Sequence, residues 1–128
     1  MKRVHETTSE ALLDYARTLP GAVTDRPFKD SLDTVVLRHG RSRKWFGLIL
    51  ARQTKTILNV KIDPIEAVEL REQFKSITPA YHMNKKHWIS IELTGDVPFS
   101  TVQALLDASF ELTAGKAMPT ASGLRRSD

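Results

Sequence analysis

Two rhythms of apolar residues alternate along this chain, and the switches between them predict its elements. Near the start, Leu12, Tyr15, Ala16 and Leu19 recur at i, i+3, i+4 and i+7, the stripe of an amphipathic helix. Ahead of it, Thr7-Thr8-Ser9-Glu10 fits a capping box, with a hydroxyl at the cap and a Glu three positions on. Pro20-Gly21 ends that helix. Residues 21–28 then fit a short edge strand, because Pro27 excludes a central one. The rhythm changes to period two over 34–39, 44–51 and 55–62, separated by turns at Gly40-Arg41-Ser42 and Arg52-Gln53-Thr54. Short turns between β-rich runs predict an antiparallel meander. Strict alternation sets Phe46, Leu48 and Leu50 facing Leu58, Val60 and Ile62 on one side. Trp45, Gly47 and Ile49 then lie with Ile57, Asn59 and Lys61 on the other.

A second helix starts after Asp63, with Pro64 at its first position and Glu66 completing a D-x-x-E box. Its stripe is Ala67, Leu70 and Phe74, with Ile65 and Val68 beside it. Residues 76–84, which include Pro79, read as a loop. Over 87–93, His87, Ile89, Ile91 and Leu93 alternate with Trp88, Ser90 and Glu92, a strand. Ser100, with Gln103 three on, is the expected cap of a last helix that buries Val102, Leu105, Leu106, Ser109 and Leu112 and stops at Gly115. Residues 116–128 are rich in Pro, Thr, Ser, Gly and Arg and have no period, the composition of a disordered tail. The order is α-β-β-β, with a further strand if 21–28 pairs, then α-β-α. That order predicts one α+β domain over 1–115: two layers, an antiparallel sheet with helices on one face. The other face then holds Trp45, Ile49, Ile57 and Trp88, and must be covered by a loop or a helix end, buried in a dimer or used for binding.

Composition narrows the chemistry. The 128 residues contain no cysteine, which excludes a disulfide framework, a thiolate nucleophile and Cys-ligated metal. No apolar run approaches the ~20 residues of a membrane span, and the start MKRVHETTSE has no signal-peptide pattern. A cytoplasmic protein is expected, with no membrane partner. The net charge of +4 conceals a segmental layout. Residues 34–62 lack acids and carry +7, and residues 73–91 lack acids and carry +3, which leaves −6 for the rest. Such asymmetry favours an anionic partner, although strand edges also collect Lys and Arg to block edge pairing.

Residues 79–88 read PAYHMNKKHW. Together with KWFGLIL at 44–50, LNVKIDPIEAVELREQF at 58–74 and SFEL at 109–112, this string resembles the MmcQ/YjbR family from the first helix to about Gly115. The matching positions are Lys44, Trp45, Lys61, Pro79, Tyr81, His82, Met83, Asn84, Lys85, Lys86, His87 and Trp88. The resemblance implies a small α+β fold of the CyaY-like or secretion-chaperone-like kind. It also implies DNA binding, by analogy with a double-wing arrangement, and carries over no catalytic residue.

The residues support a compatible reading by themselves. Aromatic and basic side chains interleave at Tyr81, His82, Lys85, Lys86, His87 and Trp88, with the polar Asn84 among them, and Lys44, Trp45 and Lys61 extend that surface from neighbouring strands. Cations neutralise phosphates and flat rings stack on unpaired bases. The competing reading is that Tyr81 and Trp88 pack the loop while the lysines only solvate it. Enzyme readings lack motifs: there is no P-loop, G-x-G-x-x-G or G-x-S-x-G, and His82 and His87 are not spaced as in HExxH. His39 reads as a surface histidine. Glu66, Glu69 and Glu72 align on the second helix, a weak basis for iron beside Arg71. The expectation is therefore a non-enzymatic binding module without cofactor or metal, taking nucleic acid, DNA in particular. The alternative is a chaperone-like module that binds a polypeptide on the Trp-bearing face. A monomer is expected, with a weak homodimer as the other possibility.

Overall fold

Apolar alternation in the middle of the chain builds the sheet, and the helices at either end cover it on one side. The structure, a computed structural model, describes residues 8–31 and 33–115. The elements are α1 (Ser9–Arg17), β1 (Ala22–Asp25), β2 (Val35–His39), β3 (Trp45–Arg52), β4 (Lys55–Lys61), α2 (Pro64–Gln73), β5 (Ile77–Pro79), β6 (Trp88–Glu92) and α3 (Phe99–Leu112). All six strands form one antiparallel sheet in the order β1-β2-β3-β4-β6-β5. This is the expected α+β, two-layer arrangement. The expected tail over 116–128 lies outside the described residues.

Local chemistry accounts for most boundaries. α1 starts one residue later than expected: Thr8 is the cap, its hydroxyl accepting from the Ala11 amide at 3.0 Å, so Glu10 is not the reciprocal member of a box. Asp63 caps α2 through the Ile65 amide at 2.8 Å, with Pro64 at the first helical position. α3 corrects a further expectation, since Pro98 rather than Ser100 precedes it and no side chain caps it. The β3–β4 hairpin turns on Gln53-Thr54, where Gln53 adopts a left-handed φ of 58° at a position that usually takes glycine. Residues 76–84 are not wholly a loop. Ile77–Pro79 adds a three-residue edge strand to β6, tolerable because Pro79, which has no N–H, sits at the edge.

The largest departure from expectation is which side chains share a face. Between β2 and β3 the register slips, with Leu37 opposite Gly47 and Arg38 opposite Trp45, so Phe46 is an extra residue on β3. Phe46 and Gly47 both turn to the helices: Phe46 is fully buried in the main core, and a Cβ at 47 would stand 2.7 Å from Leu37 Cδ1. Beyond the bulge, Ile49 joins Leu58, Val60, Ile89, Ile91, Val102 and Leu106 under the helices. Leu48 and Leu50 therefore belong with Ile57 on the opposite face, not with Leu58 and Val60. Where the ladder opens at the bulge, buried Ser109 of α3 steps in. Its hydroxyl donates to the Phe46 carbonyl at 2.7 Å and accepts from the Lys61 amide at 2.9 Å.

The helices are unequally seated. α1 buries Leu12, Leu13 and Ala16, and the Tyr15 hydroxyl donates to Asp107 of α3 at 2.6 Å, a bond that raises the phenol's pKa. α2 buries only Ala67 and leaves Ile65 and Val68 exposed, although Leu70 and Phe74 do pack on the core. Leu112 is also exposed, and Thr113 is buried in its place. His39 is not a surface histidine. Its ring packs on Phe46 and Phe110, and its Nε2 lies 2.8 Å from Thr113 Oγ1, which donates to the Ser109 carbonyl and so offers an acceptor. Burial lowers its pKa, and the nearby Lys44 charge adds to the effect.

Candidate functional site

The sheet face away from the helices carries a small apolar floor of Val36, Leu48, Leu50 and Ile57. Trp45, Tyr81 and Met83 pack against it half-buried. Residues 80–87 cross this face as a strap, held by a buried polar network. Asn59 is fully buried, and its Nδ2 donates to the Tyr81 carbonyl at 2.9 Å. Ser90 donates to Asn59 Oδ1 at 2.5 Å and accepts from the Tyr81 amide at 2.8 Å. The strap also holds itself. Lys85 Nζ donates to the Ala80 carbonyl at 2.8 Å, and Asn84 Oδ1 accepts from the Lys86 and His87 amides at 2.9 and 3.0 Å. Between these anchors His82 takes a left-handed φ of 68°, an uncommon conformation for a residue with a side chain.

A pocket of about 540 Å³ opens between strap and floor. Trp45, Leu48, Leu50 and Ala51 line its sheet side, and Tyr81, His82, Met83 and Asn84 its strap side. Phe28, Ser31 and Thr34, from the connection between β1 and β2, complete it. The Arg52 guanidinium lies 4.3 Å above the Tyr81 ring, and Phe28 meets Trp45 edge-on at 6.3 Å. Arg38 also approaches Trp45, at 5.7 Å, but it is paired with Asp25 at 2.9 Å. A second hollow of about 320 Å³ is lined by Lys44, Lys61 and Trp88, with Leu112 and Thr113 from the end of α3. Trp45 and Met83 line both hollows and form the ridge between them.

The ten residues singled out in the sequence are thus divided. Trp45, Tyr81, His82 and Asn84 line the larger pocket, and Lys44, Trp45, Lys61 and Trp88 the smaller. Lys85 spends its ammonium on the strap's own carbonyl, while Lys86 and His87 are exposed and line neither hollow. Among the described residues, Lys44, Arg52, Lys61 and Lys86 have no carboxylate partner. Sequence reasoning missed Phe28, Ser31, Thr34 and Arg52, which arrive through tertiary structure, and it assigned Leu48 and Leu50 to the wrong face. Among the described residues no three His, Asp or Glu side chains gather to hold a metal ion, Glu66, Glu69 and Glu72 included. No described helix is long and apolar enough to cross a membrane.

The family model named YjbR matches residues 17–112, the stretch that builds the sheet, the strap and, apart from Thr113, the lining of both hollows. The chain belongs to the YjbR family. Among YjbR-family relatives it is 33% identical over 116 residues to the uncharacterised protein YyaQ of Bacillus subtilis, covering 83% of this chain and 98% of YyaQ. It is 29% identical over 109 residues to the uncharacterised protein YbdF of Escherichia coli O157:H7, covering 85% of this chain and 83% of YbdF. Solved structures share the architecture. A Deinococcus radiodurans protein superposes with a TM-score of 0.77 at 32% identity, covering 91% of this chain and 85% of that one. A Pseudomonas syringae protein gives 0.75 at 29% identity, covering 83% and 98%.

Proposed function

We propose that this YjbR-family chain is a non-enzymatic binding module for unpaired nucleic acid, DNA in particular, and that the face carrying the strap is its working surface. One observation supports the reading above others. Two adjoining hollows share a Trp45–Met83 ridge, and cations that have no carboxylate partner among the described residues, Arg52 beside one and Lys44 and Lys61 in the other, stand next to aromatic rings. Phosphates pair with such cations while bases stack on the rings, whatever their sequence. In this reading the module works as a monomer in the cytoplasm.

Trp45 and Trp88 are the only tryptophans and line the hollows, so intrinsic fluorescence reports on them directly. Titration with single-stranded and duplex oligonucleotides at two salt concentrations tests the proposal. Single strands are expected to quench more strongly and bind more tightly. Lys44→Ala/Lys61→Ala is expected to flatten the dependence of log K on log salt by about 1.4, since each single-strand phosphate contact accounts for about 0.7. Absence of binding at low salt defeats the reading. The apolar lining of Leu48, Leu50 and Met83 favours a second one, a polypeptide partner, whose affinity would change little with salt.

A further inference from the structure

We infer that the larger pocket is a seat for one nucleotide, taking a single planar base between strap and sheet with its phosphate at Arg52. The inference deepens the nucleic-acid reading, because a flat stacking platform and a half-open pocket make different demands on a ligand. A platform accepts successive bases in a row, whereas a pocket of about 540 Å³ between strap and sheet falls in the size range of small-ligand sites and admits one turned-out ring.

Its lining suits a heteroaromatic ring better than an aliphatic side chain. Trp45 presents an indole that meets Phe28 only edge-on. Opposite the apolar floor, polar groups converge that the fold does not exhaust. Asn84 commits its Oδ1 to two strap amides, which leaves the Nδ2 hydrogens to donate. The Ser31 and Thr34 hydroxyls are 2.8 Å apart, and whichever donates to the other, one hydroxyl hydrogen remains to be offered. Base edges carry ring-nitrogen and carbonyl acceptors that match such donors. Arg52 stands on the Tyr81 ring, exposed and without a carboxylate partner among the described residues. Its fork suits a phosphate joined to the seated base. The same chemistry describes a base turned out of a strand and a free mononucleotide.

Calorimetric titration of the full chain separates these sources. The probes are adenosine 5′-monophosphate, adenosine, ribose 5-phosphate and an oligothymidylate. Ala51→Trp plugs the pocket from an exposed lining position, and Arg52→Gln removes the cation. Stacking of one base is commonly worth a factor of roughly ten or more, so Ala51→Trp should weaken the strand, the mononucleotide or both by about that much, with the melting temperature unchanged. Arg52→Gln should weaken the monophosphate and leave adenosine as it was. Loss of mononucleotide binding in Ala51→Trp, when no oligonucleotide binds even to the unaltered chain, keeps the seat and discards the strand reading. Strand binding that Ala51→Trp does not touch, with no mononucleotide bound, keeps the strand reading and overturns the seat. Ribose 5-phosphate binding as tightly as the monophosphate also overturns it, because an anion site alone would then suffice.

Discussion

The two faces of one sheet have opposite constructions. Under the helices, Phe46, Ile49, Leu58, Val60, Ile89 and Ile91 interlock with Leu12, Val102 and Leu106, all nearly inaccessible to water. On the other side, Val36, Leu48, Leu50 and Ile57 form a floor whose cover is a strap of loop, and a pocket remains between them. Helices satisfy their own backbone and can press an apolar stripe onto a sheet. A loop cannot, so it must be held by side chains, here Asn59 and Ser90. The first face supplies cohesion, and the second trades cohesion for a shaped opening.

Mutating one residue from each face tests the contrast most directly. Phe46→Ala should cost about 3–5 kcal/mol, because the ring is enclosed and its neighbours cannot collapse into the space. Leu48→Ala, at the wall of an existing pocket, should fall near the low end for such truncations, about 2 kcal/mol. Equal shifts in urea midpoint at unchanged slope would mean that the faces are equally packed.

A finer comparison uses the polar bridge inside each face. Ser109→Ala orphans the Phe46 carbonyl and the Lys61 amide, and Asn59→Ala orphans the Tyr81 carbonyl and a Ser90 donor. Each should cost about 1–3 kcal/mol. Hydrogen exchange distinguishes them: Asn59→Ala should speed exchange in the strap, where the Tyr81 amide is held by Ser90, and Ser109→Ala should leave the strap protected. Equal strap protection in both variants would show that the strap does not depend on its anchor.

The smallest effect is expected from His39, on the helix side. Burial lowers its pKa below the ordinary imidazole value near 6.5, so the folded chain resists its protonation while the unfolded chain accepts it. Its contribution is complete above that value and diminishes as pH falls below it, until the folded chain also takes the proton. His39→Gln should remove this part of the pH dependence of the melting temperature; a profile that matches the unaltered chain would place its cause elsewhere.

Much of this was legible in the sequence, for reasons tied to particular residues. The helix–strand order follows from periodicity, and Asp63-Pro64 marks α2 through local chemistry alone. The face assignment failed beyond Phe46, because one bulged residue reverses the parity of everything after it, Leu48, Ile49 and Leu50 included. Gly47 in mid-strand was the available signal, since glycine there often marks a bulge or close approach. β5 was hidden because three residues ending in Pro79 acquire strand geometry only from pairing with β6. The aromatic and basic string at 79–88 did indicate the strap. What it could not convey was that Asn84 Oδ1 and the Lys85 ammonium would be occupied by the strap's own backbone, that Phe28 would line the pocket from the β1–β2 connection, or that Arg52 would stand over the Tyr81 ring.

The margins of the sheet carry a consequence for crowded conditions. β1 is four residues long, and β5 is three residues ending in a proline that offers no donor. A neighbouring copy that tried to extend either ladder would find a few hydrogen bonds and then nothing further to pair with. Edge-to-edge growth into fibrils is thereby discouraged at both margins.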